Sequence, residues 1–161
     1  MAVKERNTHK IVLLSFAIAL TFLSCSRKTV YSHYLHTHSY EHGWHLYDTL
    51  TFVVEPLRKG GLYYGEVGVR TYADYPFTTL PLIIGQQAIP SGISRSDTII
   101  ITIADEHGML TGNGINLHQY THPTPSLSLL EGDTLTVRIR HAADDDTLTG
   151  VADIGFSLIA E

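Results

Sequence analysis

The feature that most limits the fold is a period of two. Thr134–His141 (TLTVRIRH) sets Leu135, Val137 and Ile139 against Thr136, Arg138 and Arg140. Side chains on a strand point alternately to its two faces, so this segment reads as a half-buried strand and not as an amphipathic helix. The alternation recurs. Residues 48–55 (DTLTFVVE) place Leu50, Phe52 and Val54 on one face, and residues 62–71 (LYYGEVGVRT) set Tyr63, Val67 and Val69 against Tyr64, Glu66 and Arg70. Val151–Ala160 (VADIGFSLIA) aligns Ala152, Ile154, Phe156 and Leu158. Residues 97–104 (DTIIITIA) are rich in β-branched side chains, which suit a pleated surface. Gly65 and Gly68 inside a strand pattern suggest a bulge or a close backbone approach. Turn signals separate the runs at 56–61 (PLRKGG), 73–76, 105–114 (DEHGMLTGNG), 131–133 and 142–146 (AADDD). Residues 80–84 make a short apolar run that Pro81 assigns to an edge or a strand start, and 86–96 (QQAIPSGISRS) read as a loop. The expected fold is all-β, a single antiparallel β-sandwich or jelly-roll-like domain.

The N-terminus has a different logic. Lys4, Arg6 and Lys10 precede an apolar run of fourteen residues, 11–24 (IVLLSFAIALTFLS), which ends at Cys25. A basic start, a short apolar run and a small residue before a cut site make a secretory signal peptide. The run falls short of the roughly 20 residues that span a bilayer. Leu23-Ser24-Cys25 looks like a bacterial lipobox, whose thiol is acylated before cleavage, although Phe22 stands where an aliphatic residue is usual. Cys25 is the only cysteine, and a free thiol, half of an intermolecular disulfide and a retained leader are the competing readings. The expected organisation is a signal peptide over 1–24, a lipid-anchored His/Tyr-rich tether over 25–45, and the sandwich over 46–161. Several acyl chains anchor a protein stably where one binds marginally. Ser26-Arg27-Lys28 follows the cysteine with no acidic run, and the expected seat is the periplasmic face of the outer membrane.

Removing a leader with three basic residues and one acid from 11 Lys/Arg and 16 Asp/Glu leaves eight against fifteen, a net charge of −7. Such a surface does not suit nucleic acid. Expected partners are the membrane, through the anchor, and other envelope proteins.

The chemistry-bearing residues are few in kind. Residues 31–45 (YSHYLHTHSYEHGWH) hold His33, His36, His38, His42 and His45. Imidazole ligates zinc, copper and nickel, and His36 and His38 share a face if this is a strand. The spacing matches no zinc signature, and a solvated linker is the simpler reading. Asp144, Asp145 and Asp146 read as a charged turn before a calcium site. No Gly-x-Ser-x-Gly elbow is present, so no catalytic residue and no enzyme are expected, and no cofactor beyond the lipid on Cys25. Arg70, Asp74 and Asp153 read as structural braces, since a carboxylate among apolar neighbours needs a partner. Tyr72, Tyr75 and Phe77, in YADYPF, are the candidate partner contacts, aromatics on a turn stiffened by Pro76. The competing reading folds Tyr75 and Phe77 back into the end of the sandwich.

These motifs, taken together, carry a resemblance. Val69-Arg70-Thr71-Tyr72-Ala73-Asp74-Tyr75-Pro76-Phe77 resembles the Arg…Asp-Tyr-Pro-aromatic segment of the GldH family, the gliding-motility-associated lipoproteins of Bacteroidota. Asp97-Thr98, then Ala104-Asp105 with Gly108, Gly112 and Gly114, is similar to that family's central strand and turn. Leu148-x-Gly150-Val151-x-Asp153-Ile154-Gly155 is similar to its closing strand. Thr79, Leu110 and residues 142–146 depart from the pattern, and the His-rich segment matches nothing in it, which marks a divergent member. The resemblance implies a lipid-anchored, non-enzymatic accessory component of a gliding-motility or associated secretion apparatus. A periplasmic carbohydrate-binding or metal-binding lipoprotein remains the alternative, because sandwiches also host sugar sites.

Overall fold

The computed structural model describes residues 28–39 and 42–161, so the leader and Cys25 lie outside the described part. Strands carry the architecture. They are β1 (Lys28–His36), β2 (Trp44–His45), β3 (Leu50–Val54), β4 (Gly61–Tyr72), β5 (Thr79–Ile89), β6 (Ser94–Thr102), β7 (Leu117–Pro123), β8 (Leu127–Leu129), β9 (Thr134–His141), β10 (Thr147–Leu148) and β11 (Val151–Ala160). One sheet has the order β1-β11-β4-β7, with β8 continuing along the same edge of β4. The facing sheet has the order β3-β9-β5-β6, and β2 and β10 form a separate two-stranded ribbon. Every pairing is antiparallel. The expected all-β antiparallel sandwich is the fold.

The core lies where the two alternations meet. Leu135, Val137 and Ile139 of β9 and Leu80, Leu82 and Ile84 of β5 face Val67 and Val69 of β4 and Ile154, Phe156 and Leu158 of β11, all buried. Phe52 and Phe156 meet across the gap, ring centroids 6.2 Å apart. Each such side chain taken from water contributes roughly 1.5–3 kcal/mol, and with no disulfide expected this burial must hold the domain.

Three expectations are corrected. Residues 28–36 are no tether: β1 pairs with β11 from Lys28↔Ala160 to His36↔Asp153. Tyr31 packs on Phe156 at 6.4 Å, so this polar segment shields one edge of the most buried strand. The segment 86–96 is no loop, because β5 runs on to Ile89 and β6 begins at Ser94. Gln86 misleads, a polar residue that points into the core. Pro81 sits in a strand paired on both sides. It stands just beyond the first β9 pair, Leu82↔His141, where its carbonyl accepts from Ala142 N at 2.9 Å. The missing N–H costs only the reciprocal bond of that opposing pair, at the end of the ladder.

The sandwich has two ends. At the entry end, where Lys28 begins, lie the connections 55–60, 90–93 and 130–133 and the close of β11. At the far end lie 73–78, 103–116, 142–146 and the β2–β10 ribbon. Twelve residues of β4 link the two ends, about 40 Å at 3.3 Å per residue.

Candidate interaction surface

The register of one sheet builds a polar row on its outer face. His36 pairs with Asp153, Asp153 with Arg70, and Arg70 with Gln119, so four strands contribute one residue each. His36 Nδ1 contacts Asp153 Oδ1, and Arg70 Nη1 stands 3.6 Å from Asp153 Oδ2. Arg70 Nε donates to Gln119 Oε1 at 3.4 Å. The Asp153 side chain is 6% exposed, so it gains partners where solvent cannot serve it. Arg70 and Asp153 are thus brought together, while Asp74 lies exposed on the loop beyond the strand end.

The next row explains why Arg70 holds its place. Tyr34 pairs with Gly155, and Gly155 with Gly68. A Cβ on Gly68 would fall 2.1 Å from Tyr34 Oη, and one on Gly155 2.6 Å from its ring. The two glycines make a floor on which Tyr34 lies, and the Arg70 guanidinium sits 4.0 Å above the ring centroid. Burial pushes the Tyr34 phenol upward, against the opposing pull of Arg70. Gly68 therefore marks a close approach, of a side chain laid over the strand and not of a second backbone.

The loop after β4 divides its aromatics. Tyr75 is 6% exposed and belongs to the core, its hydroxyl donating to Thr79 O at 3.0 Å. This corrects its place among the partner contacts: Gly150, at φ +81°, lies against it, and a Cβ there would fall 2.7 Å from Tyr75 Cα. Burial drives the Tyr75 phenol well above its ordinary range. Phe77 turns outward at 40% exposure, held edge-on against Tyr75 at 5.8 Å. Tyr72 is half-buried. A hollow of about 180 Å³ adjoins Phe77, lined also by Pro81, Ala143 and Asp144.

Two further apolar side chains stand at this far end. Met109 is 69% exposed and Ile115 92%. They are not loose ends of a slack loop. Asp105 Oδ1 accepts from His107 N and Met109 N, each at 2.9 Å, and Tyr120 Oη donates to Ile103 O at 3.0 Å. The turn chemistry of DEHG pointed to the loop, but no pattern in the sequence marks which apolar residue of a loop faces water.

The histidines are divided. His33 and His36 point to opposite faces of β1. His38 lies past the strand with φ 56°, so it does not share a strand face with His36. His45 stacks beside Tyr47 at 5.4 Å on the ribbon, and His42 is exposed. Among the described residues no three His, Cys, Asp or Glu side chains gather closely enough to hold a metal ion. A sixth histidine, His141, is fully buried under the ribbon, edge-on to Trp44 at 5.1 Å.

Two solved structures share some of this shape. A family 35 carbohydrate binding module from Clostridium thermocellum has a TM-score of 0.40 and 14% identity over 70% of each chain. The globular domain of zebrafish complement 1qA protein has a TM-score of 0.37 and 14% identity over 67% of this chain and 68% of that one. At these scores neither carries anything over to this chain. The sequence comparisons carry far more. The family model of the GldH lipoprotein matches residues 29–158. Gliding motility lipoprotein GldH of Flavobacterium johnsoniae is 30% identical over 159 residues, covering 91% of this chain and 93% of that one. The match spans both sheets, including the β1 strand that composition hides, and the chain belongs to the GldH lipoprotein family.

Proposed function

We propose that this chain is a lipid-anchored, non-enzymatic interaction component of a gliding-motility or associated secretion apparatus. Lipid on Cys25 holds it to the periplasmic face of the outer membrane, and the far end of the sandwich meets the partner. The observation that carries the interaction reading is the exposure of Phe77, Met109 and Ile115 on far-end loops, about 40 Å from the end at which the chain enters. Aromatic residues and methionine are enriched at the cores of interfaces. Membership in a family whose Flavobacterium johnsoniae relative is called a gliding motility lipoprotein supports the motility context.

The test separates interface from core. Phe77→Ala, Met109→Ala and Ile115→Ala are each expected to lose crosslinked envelope proteins in co-purification while melting like the wild type. Tyr75→Ala is the contrast, expected to lose about 3–5 kcal/mol of stability as a large core truncation. Unchanged partner recovery across the three exposed variants would falsify the far-end reading. Cys25→Ala is expected to leave the membrane fraction, and digestion of the domain by protease added to intact cells would contradict the periplasmic face.

A further inference from the structure

We propose that the entry end of the sandwich rests on the lipid headgroup layer of the membrane that holds the anchor. This inference builds on Cys25 as the lipidation site. Cys25 stands three positions before Lys28, so no more than about 10 Å of chain separates the lipid from the sandwich. The entry end is therefore kept at the bilayer surface, at high effective concentration.

The chemistry of that end fits a headgroup layer. Val30, Leu62, Ile89 and Leu130 are all exposed there, on strand ends and loops that the fold brings together from four parts of the chain. Lys28, Arg58 and Lys59 line the same end, around a groove of about 700 Å³ whose floor includes Leu57 and Tyr63. Glu55 and Glu161 also line the groove, and Glu131 lies on the neighbouring loop. Cations beside apolar side chains are suited to phosphates over acyl chains. The contrast is with the rest of a chain whose net charge is −5, and with the far end, which carries Asp105, Glu106, Asp144, Asp145 and Asp146.

The face is also preformed. Asp133 is fully buried and accepts from Leu130 N at 2.8 Å and Ser91 N at 2.9 Å. Its carbonyl accepts from Leu57 N at 2.9 Å, and Leu57 O accepts from Gly132 N at 2.9 Å. One residue thus ties all three entry-end loops, so Ile89 and Leu130 need no ordering on contact. A second copy of the chain is the weaker occupant. Two copies anchored in one membrane both turn their entry ends toward the bilayer, and those ends cannot meet.

The experiment uses the full lipidated chain in phospholipid vesicles. Acylation consumes the Cys25 thiol, so an introduced cysteine is the only one free for an environment-sensitive fluorophore. Labels at Ile89→Cys and Leu130→Cys are expected to shift to the blue and lose most of their emission to nitroxide-bearing lipids. Labels at Met109→Cys and Ile115→Cys are expected to do neither. Arg58→Glu with Lys59→Glu is expected to weaken the quenching on vesicles containing phosphatidylglycerol, and quenching that survives the reversal overturns the role given to these cations. If a floating, acylated chain leaves the entry-end labels as wet as the far-end labels, the inference is overturned while the anchor stands. Shielding without quenching by lipid marks a protein contact at this face and overturns it as well. A chain that neither floats nor carries acyl mass overturns the anchor, and the inference with it.

Discussion

Tyr34 shows how a single side chain can decide what its neighbours are allowed to be. Gly68 and Gly155 lie beneath its ring, and a methyl on either would meet it at 2.1 or 2.6 Å. In the wild type, Gly68→Ala must therefore push Tyr34 and its Arg70 contact off the sheet, at a cost of about 1–3 kcal/mol for overpacking. In a Tyr34→Ala background that clash is gone, and the lower chain entropy of alanine is expected to stabilise by about 0.5–1 kcal/mol. The sign of the effect reverses between backgrounds, and urea denaturation of the four-member cycle reads it directly. His141 makes a second prediction at this scale. Burial holds its pKa below 6.5, with His45 and Arg140 adding to that and the backbone of Trp44 and His45 opposing it. The native ring stays neutral where the unfolded ring takes a proton. Stability is therefore intact above about pH 6.5 and falls as pH drops from there toward the lower native value. His141→Leu is expected to flatten that part of the melting profile across pH.

At the scale of elements, the loops are as constrained as the strands. Asp133 binds the connections 90–93 and 130–133 by its carboxylate and 55–60 by its backbone. Burial alone would raise this carboxyl, but the amides of Leu130 and Ser91 hold it below the usual range. Its contribution is thus present above about pH 3.8 and disappears as pH falls through the lower native value. Asp133→Ala leaves two amide donors unpartnered, and since each buried orphan costs about 1–3 kcal/mol the loss is expected near 2–5 kcal/mol. Chemical denaturation measures it, and a loss below about 1 kcal/mol would mean that water reaches those amides. Strand β5 behaves differently. Pro81 and Gln86 both speak against a central strand, yet its pairing with β6 and β9 runs nearly the full length. The Gln86 amide is buried with neither polar atom partnered among the described residues, and nothing in the structure explains its choice.

For the whole molecule, the first described strand pairs with the last. Lys28–His36 lies along Val151–Ala160, so the sandwich closes only when both ends of the chain are in place. Trp44, the single tryptophan, is buried at the far end on His141, in the ribbon and not in either sheet. One core joins them, so unfolding followed by Trp44 fluorescence and by far-UV circular dichroism is expected to give coincident transitions. Separated midpoints would show that the ribbon melts independently of the sheets. The sequence by itself determined the β class and the strands β4, β9 and β11, because each has one face in the core and its period of two is written in residue polarity. It also determined the family, through motifs that lie on those strands and the turns beside them. It did not disclose β1, whose edge position exposes most of its length, nor the burial of Tyr75, which depends on Gly150 arriving from another part of the chain. The row of His36, Asp153, Arg70 and Gln119, the Tyr34 floor and the two unlike ends were decided only in the tertiary structure. Each depends on strand register, and register is set by which distant hydrophobic faces pack together.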